Sequence, residues 1–225
     1  QESGSLPPSE MELDLPGEKS GLIPTRAWKQ ELFGKPWLKG ETLLAAIGQG
    51  YVLATPLQLA VMTARCVNGG YAVMPKLTRN TIDEGGETAN AADFPKIDIS
   101  ARSRQILMHA LDEAMNHPRG TAYNSRIMDP GLAAGGKTGT AQVRRITMLE
   151  RESGVKKNKE RPWRERDHSL FVGYAPVDQP RYAVSVVVEH GGGGSKTAAP
   201  IARDVLKEVQ RVYAPGQLAK READR

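Results

Sequence analysis

The sequence predicts an α/β chain of the α+β kind, in which an antiparallel pair of strands and several amphipathic helices occupy separate stretches. Three observations predict it. Arg181–Glu189 is the strongest strand in the chain, built from β-branched and aromatic residues. Ser169–Ala175 also reads as a strand, and only Pro176–Pro180 separates the two, too short for a crossover, so they form an antiparallel hairpin. Helical spacing with start and stop signals recurs over 55–68, 101–116 and 200–213.

Taken in order, residues 1–20 are polar and proline-bearing and read as an extended approach. Residues 21–41 carry Trp28 and Trp37 among prolines and glycines, an irregular segment with one short helix at 25–32. Residues 42–54 are apolar around Gly48 and Gly50. Thr55 then caps a helix, Pro56 suits its first position, and Gln58 completes a capping box. Leu57, Ala60, Val61, Ala64 and Val67 repeat along it, and Asn68-Gly69-Gly70 ends it. Cys66 on this helix reads as a small buried hydrophobe. Residues 71–99 read as short strands and loops with a polar tip at 83–93. Ser100 caps the helix over 101–116, whose buried face is expected at Ile106, Leu107, Ala110, Leu111, Ala114 and Met115. Residues 144–168 hold nine positive and five negative side chains of interleaved sign, a solvated insertion between strands. Gly191–Gly194 reads as a flexible turn. Pro200 opens the last helix, with Ile201, Val205, Val209 and Val212 on one face, and 214–225 form a polar tail.

Composition bounds the function classes. At 225 residues, 39% hydrophobic and 25% charged, the chain is an ordinary globular one, long enough for one domain with a sizeable core. A net charge of +5 allows an anionic partner without requiring one. The tryptophans have no interleaved basic stripe, so single-strand nucleic-acid binding is not expected. His109 and His117 lack a third ligand at metal spacing, and no metal or other cofactor is expected. The lone Cys66 excludes an internal disulfide. No run of 18 apolar residues occurs. The first residue is Gln1, and the chain reads as a piece of a longer one.

The stretch with most chemistry is Gly135-Gly136-Lys137-Thr138-Gly139-Thr140-Ala141-Gln142-Val143. It sets one cation and two hydroxyls beside glycines, suited to an anion brought close to the backbone. Two readings compete. Gly131 to Thr138 fits the phosphate-loop pattern G-x-x-x-x-G-K-[ST], which requires a strand ending at Gly131 and a helix opening near Lys137. Pro130 is a poor strand end there, and Gly139-Thr140 a weak first helical turn. In the second reading 136–143 is itself a strand, with Lys137, Gly139 and Ala141 pointing one way and Thr138, Thr140 and Gln142 the other. Lys-Thr-Gly is a motif of β-lactamases and penicillin-binding proteins.

Further segments support the second reading. They include Asp14-Leu15-Pro16-Gly17-Glu18, Pro36-Trp37-x-x-Gly40 and Ile47-Gly48-Gln49-Gly50-Tyr51 running into Ala54-Thr55-Pro56-Leu57-Gln58. Asn68-Gly69-Gly70, Gly120-Thr121-Ala122, Lys137-Thr138-Gly139-Thr140-Ala141-Gln142, Asp167-His168 and Ala175-Pro176 follow in order. Residues 14 to about 212 thereby resemble the C-terminal part of the transpeptidase domain of class B penicillin-binding proteins. The resemblance is greatest to the penicillin-binding protein 2 branch that serves rod-shape elongation.

The resemblance implies a penicillin-recognising transpeptidase fold, an antiparallel sheet flanked by helices beside an all-helical subdomain, of which this chain is the C-terminal portion. It implies transfer of a D-alanyl peptide between peptidoglycan stem peptides through a serine acyl-enzyme. Lys137 would steer the substrate carboxylate, the hydroxyls of Thr138 and Thr140 would bind it, Gly139 would line the strand, and the Thr140 N–H would be one oxyanion donor. The implied partners are stem peptides, β-lactam antibiotics, the upstream part of the same protein and membrane wall-synthesis proteins. The implied location is the periplasmic face of the inner membrane, anchored by an upstream segment. The family's S-x-N motif does not occur, and the one S-x-x-K, Ser153 to Lys156, follows the Lys-Thr-Gly strand instead of preceding it. The nucleophile is therefore expected upstream of Gln1 and this chain alone is expected to be inactive, with a non-catalytic binding module as the alternative.

Overall fold

The hairpin forms as its composition requires, and its partner is the Lys-Thr-Gly strand. In the computed structural model, which describes residues 17–76, 93–144 and 146–213, β1 (Gly135–Ala141), β2 (His168–Ala175) and β3 (Tyr182–Val188) make a three-stranded antiparallel sheet in chain order. Gly135 pairs with Tyr174 and Ala141 with His168. Ser169 pairs with Val188 and Ala175 with Tyr182. The expected approach at 1–16, the tip at 83–93 apart from Asp93, Arg145 and the tail at 214–225 lie outside the described residues.

The chain divides into two compact units, Gln1–Leu59 with Met74–Thr88, and Ala60–Val73 with Ala89–Arg225. In the first, Thr25 caps α1 (Arg26–Phe33) by accepting from the Trp28 N–H, and Gly34 closes it in the left-handed conformation at φ 62°. Residues 39–46, which straddle the segments read as irregular (21–41) and apolar (42–54), form α2 (Lys39–Ala46). Its N-terminus carries no side-chain cap at Leu38. Instead the Glu41 carboxylate accepts the Leu38 N–H at 2.7 Å. Lys29 is only 4% exposed and donates to both Glu41 oxygens, at 2.5 and 2.6 Å, and to the Pro36 carbonyl at 2.9 Å. The Leu38 N–H first, and the Lys29 ammonium next, hold the Glu41 carboxyl below its usual range. The rings of Trp28, Phe33 and Tyr51 meet at 5.3–5.6 Å between centroids. The Thr55–Gln58 capping box is formed at the start of α3 (Pro56–Val67).

The second unit holds the rest of α3, where burial raises the Cys66 thiol above its usual pKa. It also holds α4 (Ala101–Asn116), capped by Ser100, the sheet, and α6 (Ala198–Val212). Between β1 and β2 lie α5 (Met148–Ser153) and two 3-10 turns, so the charged insertion has its own local structure. Period-two alternation sends Phe171, Gly173, Val184 and Val186 to the side of α6. There Phe171 is fully buried with Leu206, Ala199 and Ala202. Tyr174 points to the other side, and its hydroxyl lies 3.5 Å from the Met108 carbonyl of α4. Its burial, and then the charges of Asp112 and Asp178, push its pKa up to about 12.

Two expected helix faces are corrected. On α6 the buried side is Ala198, Ala199, Ala202, Leu206 and Gln210, while Ile201 and Val205 are 44% and 48% exposed. Small alanines let the helix approach the sheet closely, and β-branched residues at those positions would hold it off. On α4 only Met115 is fully buried, and Ile106 is 61% exposed.

Candidate active site

The glycines around Lys137 have a packing reason. A Cβ on Gly135 would stand 2.7 Å from Tyr174 Cε1, and one on Gly136 would collide with the Phe171 ring and the Val172 carbonyl. The two aromatic rings of β2 take the space on either face of β1, and only glycine leaves it. Lys137 is therefore mid-strand, not at a helix N-terminus, and the phosphate-loop reading fails on that geometry.

Along β1 the residues alternate as expected. Lys137 and Gly139 stand opposite Val172 and Leu170 on the α4 side, and Thr138 and Thr140 opposite Phe171 and Ser169 on the α6 side. Gln142 lies past the strand end. What gathers the charge and the hydroxyls is the position of β1: among the described residues it pairs with β2 only, so its second edge is open. Lys137 is exposed and its ammonium donates to the Thr138 carbonyl at 2.8 Å. The Thr138 hydroxyl donates to Thr121 Oγ1 at 3.3 Å. Thr121 was visible only as part of the Gly120-Thr121-Ala122 segment. Its place beside the strand comes from the tertiary return of the chain after α4.

The run Gly191–Gly194 is not a loose turn. The Ser169 hydroxyl donates to the Gly193 carbonyl and accepts from the Ala198 N–H, at 3.2 and 3.0 Å. Thr197 Oγ1 donates to the Gly191 carbonyl at 2.8 Å, and the Gly192 N–H reaches the Asp167 carbonyl at 2.9 Å. A Cβ on Gly194 would collide with the Gly139 and Leu170 carbonyls and lie 2.9 Å from the Gly139 nitrogen. The loop thus backs the Lys-Thr-Gly strand by direct backbone contact. His190, at φ 55°, starts it, with its N–H on His168 Nδ1 at 2.9 Å and its ring 4.3 Å from Trp163.

In the insertion, Arg144 makes two hydrogen bonds to the Glu150 carboxylate, at 2.9 and 2.6 Å. That contact, followed by the Thr147 N–H, pulls the Glu150 pKa down to about 2. Arg161 and Asp167 are buried 3.7 Å apart, with Asn158 donating to the carboxylate. Ser153 is exposed at the end of α5 with its hydroxyl on the Leu149 carbonyl at 2.7 Å, a bond that merely closes the helix. Among the described residues no group of three or more His, Cys, Asp or Glu side chains could hold a metal ion, and no helix is long and apolar enough to cross a membrane.

An antiparallel sheet between two helices, with the Lys-Thr-Gly segment on its outer strand among the described residues, is the architecture that the sequence resemblance implies. The family model "Penicillin binding protein transpeptidase domain" matches residues 9–207, and the chain belongs to that family. It is 35% identical over 224 residues to the peptidoglycan D,D-transpeptidase MrdA of Haemophilus influenzae, covering 92% of this chain and 33% of that protein. To MrdA of Salmonella typhimurium it is 34% identical over 203 residues, covering 88% and 31%. Among solved structures it resembles Helicobacter pylori PBP2 in complex with MreC (TM-score 0.72, 30% identity, 91% of this chain and 34% of that one). It also resembles Pseudomonas aeruginosa PBP2 in complex with WCK 5153 (TM-score 0.71, 34% identity, 89% and 40%). The chain spans about a third of the length of the curated relatives it matches.

Proposed function

We propose that the chain is the C-terminal part of a peptidoglycan D,D-transpeptidase of the elongation type, and that it supplies the strand against which the substrate lies. The observation that carries this reading is the Lys-Thr-Gly-Thr segment set on an open sheet edge. An extended substrate backbone can lie along such an edge. Lys137 draws the substrate carboxylate in, and Thr138 and Thr140 offer it hydroxyl donors. The Thr140 N–H faces the oxyanion that develops when a serine attacks the penultimate D-alanine carbonyl. Removing such a donor typically costs about 3 kcal/mol of transition-state stabilisation. The serine, its proton-transfer partners and the second oxyanion donor come from another part of the parent protein. The serine oxygen bonds to the carbonyl carbon, terminal D-alanine leaves with a proton on its nitrogen, and the amine of a neighbouring stem displaces the serine. β-Lactams, which mimic the acyl donor, acylate the same serine.

The MrdA relatives support elongation and shape as the setting, and the H. pylori complex with MreC supports wall-synthesis partners. In this reading the protein works at the periplasmic face of the inner membrane, held by an anchor outside these 225 residues. Labelling the full-length protein with fluorescent penicillin tests the proposal. Labelling that is at least tenfold weaker in Lys137→Ala is expected, and these 225 residues alone should not label. Equal labelling of the Lys137→Ala variant would overturn the assignment of β1 to the site.

A further inference from the structure

We infer that Thr121 is a positioning residue for the Thr138 hydroxyl, and that the two form a relay which makes the site selective for an anionic group. The inference rests on the transpeptidase reading above and deepens it. Thr121 lies where the chain turns back from the end of α4, and the turn is tightly fixed. A Cβ on Gly120 would collide with the Glu113 and Ala114 carbonyls, so the chain passes directly over the last turn of the helix. The Ala122 N–H donates to the Ala114 carbonyl at 2.9 Å, and Ala122 itself is buried. Asn116, the last residue of α4, donates to Asp112 at 2.7 Å and to the carbonyl of Ala134, just before β1, at 3.0 Å. One side chain therefore ties the end of α4 to the start of the strand. These bonds leave Thr121 exposed beside the open edge, its Oγ1 3.3 Å from Thr138 Oγ1.

A hydroxyl has one proton to donate and lone pairs with which to accept. In the structure the Thr138 and Thr121 hydroxyls share one hydrogen bond, 3.3 Å between oxygens. A carboxylate has no proton to give and needs one donated. When it arrives, Thr138 turns its proton to the anion, and its freed lone pair accepts the proton of Thr121. The order becomes Thr121 to Thr138 to carboxylate, and each bond polarises the next. A neutral ester in the same place draws about half as much on the relay, because hydrogen bonds to charged acceptors are roughly twice as strong as neutral ones. Valine at position 121 keeps the shape of threonine and can neither donate nor accept.

The test uses the full-length protein as wild type, Thr121→Val, Thr121→Ser and Lys137→Ala. Acylation is followed with a carboxylate-bearing fluorescent penicillin and with its carboxyl methyl ester. Initial binding and the saturating acylation rate are measured separately, alongside melting temperature. For Thr121→Val, binding of the carboxylate form is expected to weaken about tenfold, with the saturating rate within about twofold of wild type. Thr121→Ser should restore binding, and the wild-type and valine proteins should differ by no more than about threefold toward the ester. Unchanged binding by Thr121→Val, or an equal loss for acid and ester, overturns the relay provided Lys137→Ala is impaired. If Lys137→Ala also reacts like wild type, the transpeptidase site reading itself has failed. Should Thr121→Val lower the melting temperature, its acid-to-ester ratio decides: a merely structural defect weakens both compounds alike and overturns the relay, whereas a larger loss for the acid, absent from Thr121→Ser, supports it.

Discussion

Gly136 shows how much of this site is decided by single side chains on the neighbouring strand. It lies under the fully buried ring of Phe171, so Gly136→Ala must displace either the ring or β1. The expected cost is about 1–3 kcal/mol, read as a lower denaturation midpoint at unchanged slope. Phe171→Leu in the same background should return only part of it, since the ring clash is relieved and the Val172 carbonyl clash remains. Cys66, whose thiol is pushed up by burial, should react slowly with a thiol reagent at neutral pH and quickly once the protein is unfolded. Cys66 is half-buried, and a fast native reaction would mean that burial does not shield its sulfur. The residues Lys137, Thr138, Gly139 and Thr140 were legible because a short motif keeps its order in the chain. Thr121 and Lys29 were not, since each acquires its role from a partner far along the chain or across a loop.

At the scale of elements, α6 separates hydrophobicity from burial. Leu206→Ala should cost about 2–5 kcal/mol by leaving a cavity above the sheet, whereas Val205→Ala, on the exposed side, should stay within about 0.5 kcal/mol. Equal losses would mean that the helix packs by the other face. The helix was visible from spacing alone, but its face was misread. Ile201, Val205, Val209 and Val212 are the more apolar set, while the sheet accepts the alanines and Leu206 because Phe171 and the valines of β3 already fill the space. The hairpin and the helix caps were legible because turn length and capping chemistry are local. Helix α2 was missed because its start is satisfied by Glu41 from inside the helix and not by a capping residue before it. Gly194→Ala offers a further check. It should weaken penicillin labelling by shifting Gly139, even though residue 194 lies outside the strand.

Across the molecule, acid stability draws on carboxylates with depressed pKa values, Glu150 and Asp129 beside the Glu41 already described. Glu150, normally near 4.5, is held at about 2 by Arg144, and Asp129 is held below its usual range by Lys207 and then Arg211 of α6. A depressed folded-state pKa means that the stabilisation is complete above the unfolded value and is lost as pH falls through the folded one. Melting temperature should therefore decline progressively from about pH 4.5 to about pH 2, and Glu150→Gln should flatten that slope. An identical slope in the variant would rule out the Arg144 contact as a contributor. The overall class was legible from the hairpin and the separate helices. The division into two units was not, because the helix over 56–67 is continuous in sequence across the boundary between them.

The pairing of Ala141 with His168 has a consequence for chain length. Twenty-six residues depart from and return to one rung of the ladder, so their number is not constrained by the sheet. Doubling or halving such an excursion changes its closure entropy by only about 0.6 kcal/mol. The sheet therefore tolerates a change of length between Val143 and Asn158, whereas Trp163, Asp167 and the glycines facing Phe171, Tyr174 and the 191–194 loop are held by direct contacts.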